Sequence, residues 1–178
     1  MKKNTYQTLW VKNISKEVIY SFWQQFQEDK LNKILFFDGE MQDFTEFYTW
    51  LLAKDKDVRF VANTEGVIKA MYWLNNPLGK SVMIHFCFLK KAFQEQEAIG
   101  FYVVKSLLLC RDSKQNYVLS ALIGITPKPY RHALQFIKKL GFEQKAEIPE
   151  LCYFARKNKY ITGIVSVLQK EQITKVFN

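Results

Sequence analysis

Val82-Met83-Ile84-His85-Phe86-Cys87-Phe88-Leu89 is followed, after Lys90-Lys91, by Gln94 to Cys110 and then by Tyr117-Val118-Leu119-Ser120-Ala121-Leu122-Ile123-Gly124-Ile125. The first segment is a near-continuous apolar run of strand length, which suits a position buried on both faces in the middle of a sheet. The second is polar in its first turn and apolar nearly all round thereafter, as in a helix packed deeply between layers. The third, entered through the polar turn Asp112-Ser113-Lys114-Gln115-Asn116, is again an apolar run of strand length. Strand, helix and strand in this order favour a right-handed βαβ crossover. The two strands are therefore expected to be parallel neighbours.

Upstream, Val18, Ile19, Phe22, Trp23 and Phe26 form one face of an amphipathic helix over about Lys16 to Asp29. A second helix is marked by Asp43 as cap, Glu46 three residues later, and the stripe Phe44, Phe47, Tyr48, Leu51 and Leu52, ending near Ala53. Between them, Leu35 to Glu40 is an aromatic connector of a kind that covers a pocket. Val58 to Asn63 and Val67 to Leu74 read as an antiparallel hairpin around Thr64-Glu65-Gly66. Asn75 to Gly79 reads as a turn. Downstream of Thr126-Pro127-Lys128-Pro129, a short helix runs from Tyr130 to Leu140 with Gly141 as its C′ residue. Leu151 to Arg156 and Ile161 to Leu168 then read as a closing hairpin around Lys157-Asn158-Lys159-Tyr160.

Length and composition set the frame. The 178 residues suit one domain, 1–178, and 48% hydrophobic against 24% charged residues exclude extended disorder. No uncharged apolar run reaches the length of a membrane span, because Lys105 interrupts the stretch from Ala98 to Cys110. The start has two lysines and no apolar run behind them, so a cytoplasmic protein is expected. Cys87, Cys110 and Cys152 sit in apolar runs without a C-x-x-C pair and are expected to be buried reduced thiols; no metal site is expected. The net charge of +9 suits a polyanionic cofactor or an acidic partner. No basic run of five, zinc-finger spacing or RNP-type strand is present, so nucleic acid is not the expected partner.

The order of elements, α-α-β-β-β-α-β-α-β-β, defines a mixed α/β fold, an α+β arrangement on a mixed sheet. In that order, and in Ala-Leu-Gln-Phe-Ile-Lys-Lys-Leu-Gly-Phe from Ala133 to Phe142, the sequence resembles the GCN5-related N-acetyltransferase (GNAT) family as a divergent member. The resemblance in order covers about Lys16 to Leu168. The resemblance in letters is confined to the short helix.

The resemblance implies that the strands at Val82 to Leu89 and Tyr117 to Ile125 splay at their C-terminal ends around the pantetheine arm of acetyl-CoA or another acyl-CoA. Backbone groups near Phe88 and Leu89 would pair with its amides, and Ala133 on the short helix would border it. The pyrophosphate would meet Lys90, Lys91 and the helix start Gln96, Glu97, Ala98, Ile99 and Gly100. Here the sequence departs from the family's Arg/Gln-x-x-Gly-x-Gly/Ala loop, since only Ala98 and Gly100 fit. Glu95 and Glu97 would repel phosphate, which implies weak binding. The tyrosine that often protonates the leaving thiolate is replaced by Ile137, and Tyr130 stands where the family often has asparagine. The catalytic candidates are His85 as base, Glu40 as acceptor-site carboxylate and Tyr130 as proton donor. For each a purely structural role is the competing reading: core imidazole, solvated carboxylate, helix-entry phenol.

Two functions follow. One is an acyl-CoA-dependent N-acyltransferase carrying acetyl to a small-molecule or protein amine by direct attack in a ternary complex. The alternative is a GNAT-like module without catalysis, serving binding or assembly in a phage-related or regulatory setting.

Overall fold

The computed structural model describes residues 6–177, with side chains over 6–173. The chain forms two compact units, one ending at Leu74 and resumed by His85–Gln96, the other comprising Asn75–Ile84 and the residues from Glu97 onward.

In the first unit, β1 (Tyr6–Trp10) pairs antiparallel with β2 (Lys56–Asn63), in the register Tyr6 to Asn63 and Trp10 to Arg59. The turn after β2 uses Gly66 at φ +79°, a conformation that disfavours residues with a Cβ, and leads into β3 (Ile68–Leu78). Helix α1 (Lys16–Glu28) starts at Ser15, whose hydroxyl accepts the Val18 N–H. After the short α2 (Asn32–Leu35), α3 (Phe44–Leu51) opens with a reciprocal cap: Asp43 Oδ1 accepts the Glu46 N–H at 2.9 Å, while Glu46 Oε2 accepts the Gln42 N–H at 2.6 Å. These elements exist because their apolar stripes meet in one aromatic core. Phe22, Trp23, Phe26, Phe36, Phe47, Phe60 and Trp73 are all buried there.

The second unit contains the crossover. The start of β4 (Ser81–Phe88) runs parallel to β5 (Ala121–Pro127), with Ser81, Val82 and Met83 opposite Ala121, Leu122 and Ile123. The connecting helix α4 (Gln96–Leu108) buries Ile99, Val103, Val104, Leu107 and Leu108. After α5 (Arg131–Lys139), Gly141 at φ +92° closes the helix and Phe142 folds into the core. Strands β6 (Glu143–Phe154) and β7 (Lys159–Gln169) follow, and α6 (Lys170–Phe177) comes last. β7 inserts between β5 and β6, so the seven strands take the order β1-β2-β3-β4-β5-β7-β6 in one mixed sheet.

The parallel crossover, the first hairpin, the four expected helices and the closing hairpin are as the sequence implies. Several expectations are corrected. β1, α2 and α6 lie outside the expected order: β1 is a five-residue edge strand of mixed polarity with little hydrophobic periodicity, α2 is a single turn, and α6 is amphipathic but only eight residues long. The expected turn at residues 75–79 is strand as far as Leu78. Residues 117–120 are not part of β5; an isolated bridge joins Tyr117 to Arg111. β6 begins at Glu143 rather than Leu151, because its exposed, charged first half hides the strand. β4 is not buried on both faces: its burial alternates through Ile84. Cys110 is exposed at the end of α4, unlike Cys87 and Cys152. Among the described residues no helix is long and apolar enough to cross a membrane, and no group of metal ligands is present.

Candidate active site

The candidate residues fall on three local structures. The first is the outer half of β4. Its ladder with β5 ends at Met83, and the strand continues through residues 84–88. His85 lies in this continuation with its ring stacked on buried Trp73, centroids 4.5 Å apart and planes within 3°. Trp50 meets Trp73 edge-on at 5.1 Å. Burial pushes the His85 imidazole down to about 4, so at neutral pH it is uncharged. A neutral ring can accept a proton, but a conjugate acid this strong holds it poorly. Phe36 and Trp73 are core residues.

Phe88 and Leu89, at the strand's end, are buried, and Leu89 N–H donates to the Lys69 carbonyl at 3.1 Å. A 3-10 turn, Lys90–Ala92, then leads toward α4. This turn is anchored from α1's end: Asp29, itself buried, accepts the Lys90 N–H on Oδ2 at 2.7 Å and the Gln25 side-chain amide on Oδ1 at 3.2 Å. The backbone donor of Lys90 is therefore committed within the protein, and it is the exposed side chains of Lys90 and Lys91 that face solvent. Asp29→Ala strands that donor and frees the turn. It is expected to cost about 1–3 kcal/mol in urea unfolding, whereas Asp29→Asn, which can still accept one bond, is expected to cost less. Equal losses in the two variants would remove the anchoring role.

The second structure is the start of α4, and it alters the electrostatic expectation. Glu95 forms an ion pair with Lys69 at 2.8 Å and accepts the Tyr6 hydroxyl at 3.1 Å, and the Lys69 contact holds its carboxyl below the usual range. Glu97 is paired with Lys139 of α5. Each carboxylate expected to repel phosphate thus carries its own ammonium. Gln96 and Glu97 are half-buried and Ala98 is exposed, but the Ile99 side chain is wholly buried. Gly100 is explained by packing: a Cβ there would lie 2.9 Å from Leu140 Cδ1 and from Phe136 Cζ, both buried on or beside α5. Its smallness lets two helices approach, whatever else binds nearby.

The third structure is the entry to α5. Tyr130 is the residue before the helix rather than its first turn, with φ −83° and ψ 64°. Its ring meets Phe154 edge-on at 6.1 Å. Burial raises its pKa against the opposing charge of Arg156, so the phenol stays protonated and able to donate. Ala133 is half-buried on α5. Ile137, at the position where the resemblance implies an acid, is buried and packs toward β5, its Cδ1 4.0 Å from where a Cβ on Gly124 would stand.

The remaining candidate, Glu40, lies in the first unit on the connector between α2 and α3. Together with Asp43, Tyr20, Trp23, Gln27 and Phe44 it lines a cleft of about 510 Å³. The neighbouring Asn32 holds the connector in place, donating to the Met41 carbonyl at 2.8 Å and accepting the Met41 N–H at 3.1 Å. The sequence singled out Glu40 and Asp43 but not Asn32, whose buried amide has no counterpart in a hydropathy pattern.

No family model matches the chain, and no curated protein matches it in sequence. Solved structures match it closely in shape. Spermidine N-acetyltransferase from Vibrio cholerae in complex with CoA and spermine superposes with a TM-score of 0.70 at 9% identity, covering 95% of this chain and 98% of that one. A mutant form of the same enzyme gives 0.69 at 10% identity over 100% of both chains. A chimera of it with hSSAT gives 0.67 at 10% identity. The chain has the fold of the GNAT N-acetyltransferases.

Proposed function

We propose that the protein is an acyl-CoA-dependent N-acyltransferase that transfers acetyl to an amine by direct attack in a ternary complex. The observation that carries this reading is β4, which continues through residues 84–88 after its short ladder with β5 has ended at Met83. Backbone donors and acceptors on such a continuation are suited to pairing with the two amides of a pantetheine arm. The N-terminal turn of α4 supplies a positive dipole end for the pyrophosphate, and the exposed Lys90 and Lys91 side chains supply charge. Glu95 and Glu97 fit this better than their charges alone would suggest, since both are ion-paired.

For the chemistry, Tyr130 is the candidate donor to the leaving thiolate, because its phenol is held protonated. The amine nitrogen attacks the thioester carbonyl, the C–S bond breaks, and the ammonium proton leaves to a base. His85 is the strand's base candidate, though its low proton affinity favours relay through water over direct retention. Glu40 and Asp43, with Tyr20, Trp23 and Phe44 around them, suit a cationic amine. The binding-module reading is favoured by one observation: Ile137 is buried where an acid would stand.

Calorimetry with acetyl-CoA followed by acetylation of a panel of amines, spermidine included, tests the proposal. Binding is expected, weakened about tenfold by Lys90→Glu with Lys91→Glu. Tyr130→Phe is expected to lower kcat by on the order of a hundredfold with little change in KM. Acetyl-CoA binding without transfer to any amine would instead support the module.

A further inference from the structure

A second cleft, sharing no residue with the first, lies wholly in the second unit. It encloses about 460 Å³ among Lys128, Arg131, Pro149, Glu150, Tyr160 and Ile161. This volume suits a ligand of amino-acid or dipeptide size.

Its polar groups are unusual in being left open. Arg131 occupies the first turn of α5, a turn that holds no acidic residue, where the helix dipole disfavours a cation. Its guanidinium has no ion-pair partner among the described residues. Glu150 sits in the β6 irregularity between Ile148 and Cys152, at φ +57°, a left-handed conformation that costs a residue with a Cβ about 1 kcal/mol or more. Its carboxylate likewise has no ion-pair partner among the described residues. The remaining lining charge, Lys128, is already paired with Glu147. One free cation and one free anion thus line the same space.

The same cleft is lined by an exposed aromatic ring. Tyr160 is 62% exposed, yet its ring is held against Tyr153 at 5.1 Å, and the Tyr153 hydroxyl donates to Asn158 at 2.9 Å. Two lining residues are also tied together, because the Lys128 N–H donates to the Thr162 carbonyl at 2.9 Å.

We infer that this cleft binds a small zwitterion, a free α-amino acid or short peptide, with its carboxylate on Arg131, its ammonium on Glu150 and an apolar side chain against Tyr160 and Ile161. A guanidinium is suited to two-point recognition of a carboxylate, and an exposed, braced ring offers area at low entropic cost. A polyamine does not suit it. The second unit holds 14 of the 26 Lys+Arg but 6 of the 17 Asp+Glu, so a polycation would be repelled from it. This inference stands apart from the acyltransferase reading and needs no acyl-CoA.

The test is calorimetry and backbone NMR on the full chain with L-phenylalanine, its amide, N-acetyl-L-phenylalanine and spermidine as probes, in the absence of acyl-CoA. L-Phenylalanine is expected to bind with millimolar affinity or better and to shift the resonances of residues 128–131 and 160–162. The amide and the N-acetyl form, each lacking one charge, are expected to bind about tenfold more weakly, and spermidine to leave those resonances unmoved. Arg131→Gln should remove the preference for phenylalanine over its amide, and Glu150→Gln the preference over the N-acetyl form, while Tyr160→Ala weakens all three. These side chains lie at the surface, and unchanged melting temperatures will confirm folded variants. No binding of L-phenylalanine, equal binding of the N-acetyl form, or binding indifferent to Arg131→Gln and Glu150→Gln would overturn the inference.

Discussion

Phe47→Ala is expected to remove about 3–5 kcal/mol of stability, a large share of the 5–15 kcal/mol typical of a folded domain. Phe47 is fully buried and lies at the centre of the aromatic core, its ring 4.7 Å from Trp23, 5.7 Å from Phe26 and 6.4 Å from Phe22. Truncation empties a ring-sized volume among neighbours that are themselves rigid and packed on two helices and a sheet. Such a site collapses poorly, which places the cost at the upper end for large-to-small substitutions. Phe47→Leu, which keeps most of the volume, is expected to cost markedly less. Urea unfolding followed by tryptophan fluorescence measures both, and the melting temperature of Phe47→Ala should fall by roughly 10 °C. A loss below about 1 kcal/mol would mean that this cluster is loosely packed.

The second large effect is an acid-dependent loss of stability through His85. Its folded pKa of about 4 lies below the ordinary histidine value of 6.5, so the unfolded chain binds a proton that the folded protein refuses between those values. Stability is unaffected by this group above pH 6.5 and declines as the pH falls from there to about 4. The full difference corresponds to about 3 kcal/mol at about 1.4 kcal/mol per unit. Carboxylates such as Glu95, held low by Lys69, also lose their contribution as the pH falls below their ordinary value of 4.5, at the acid edge of the window in which His85 acts. Comparing wild type with His85→Phe separates the two causes, because phenylalanine keeps a ring against Trp73 and removes the proton. The variant is expected to lose less stability than the wild type between pH 7 and pH 4.5. Parallel curves would show that the imidazole titrates alike in both states, and with it would go the account of His85 as a buried neutral base.

Neither His85 nor the α4 loop could be judged from the sequence. The resemblance pointed to His85 as base, but its proton affinity depends on how deeply the fold buries it, and the ring it stacks on, Trp73, belongs to a different strand. Glu95 and Glu97 read as a cluster of negative charge because their partners are 26 and 42 residues away. Gly100 read as a remnant of a phosphate loop, and packing against Leu140 and Phe136 accounts for it without a ligand. In each case the deciding neighbour is distant along the chain, where neither spacing nor periodicity carries a signal.

What the sequence determined by itself is local in origin. Ser15 and Asp43 set where α1 and α3 begin, and Gly141 sets where α5 ends, because caps act within one turn. The apolar runs around α4 determined the parallel pairing of β4 with β5, because a strand, helix and strand that must all be covered leave one favoured crossover. Tertiary structure alone decided the rest. It recruited the mixed-polarity residues 6–10 as an edge strand, since pairing with β2 supplies the hydrogen bonds that their hydropathy does not announce. It also placed Arg131, Glu150 and Tyr160, from three separate elements, around one cleft. A binding site is a coincidence in space of groups unrelated in sequence, and only the folded chain brings them together.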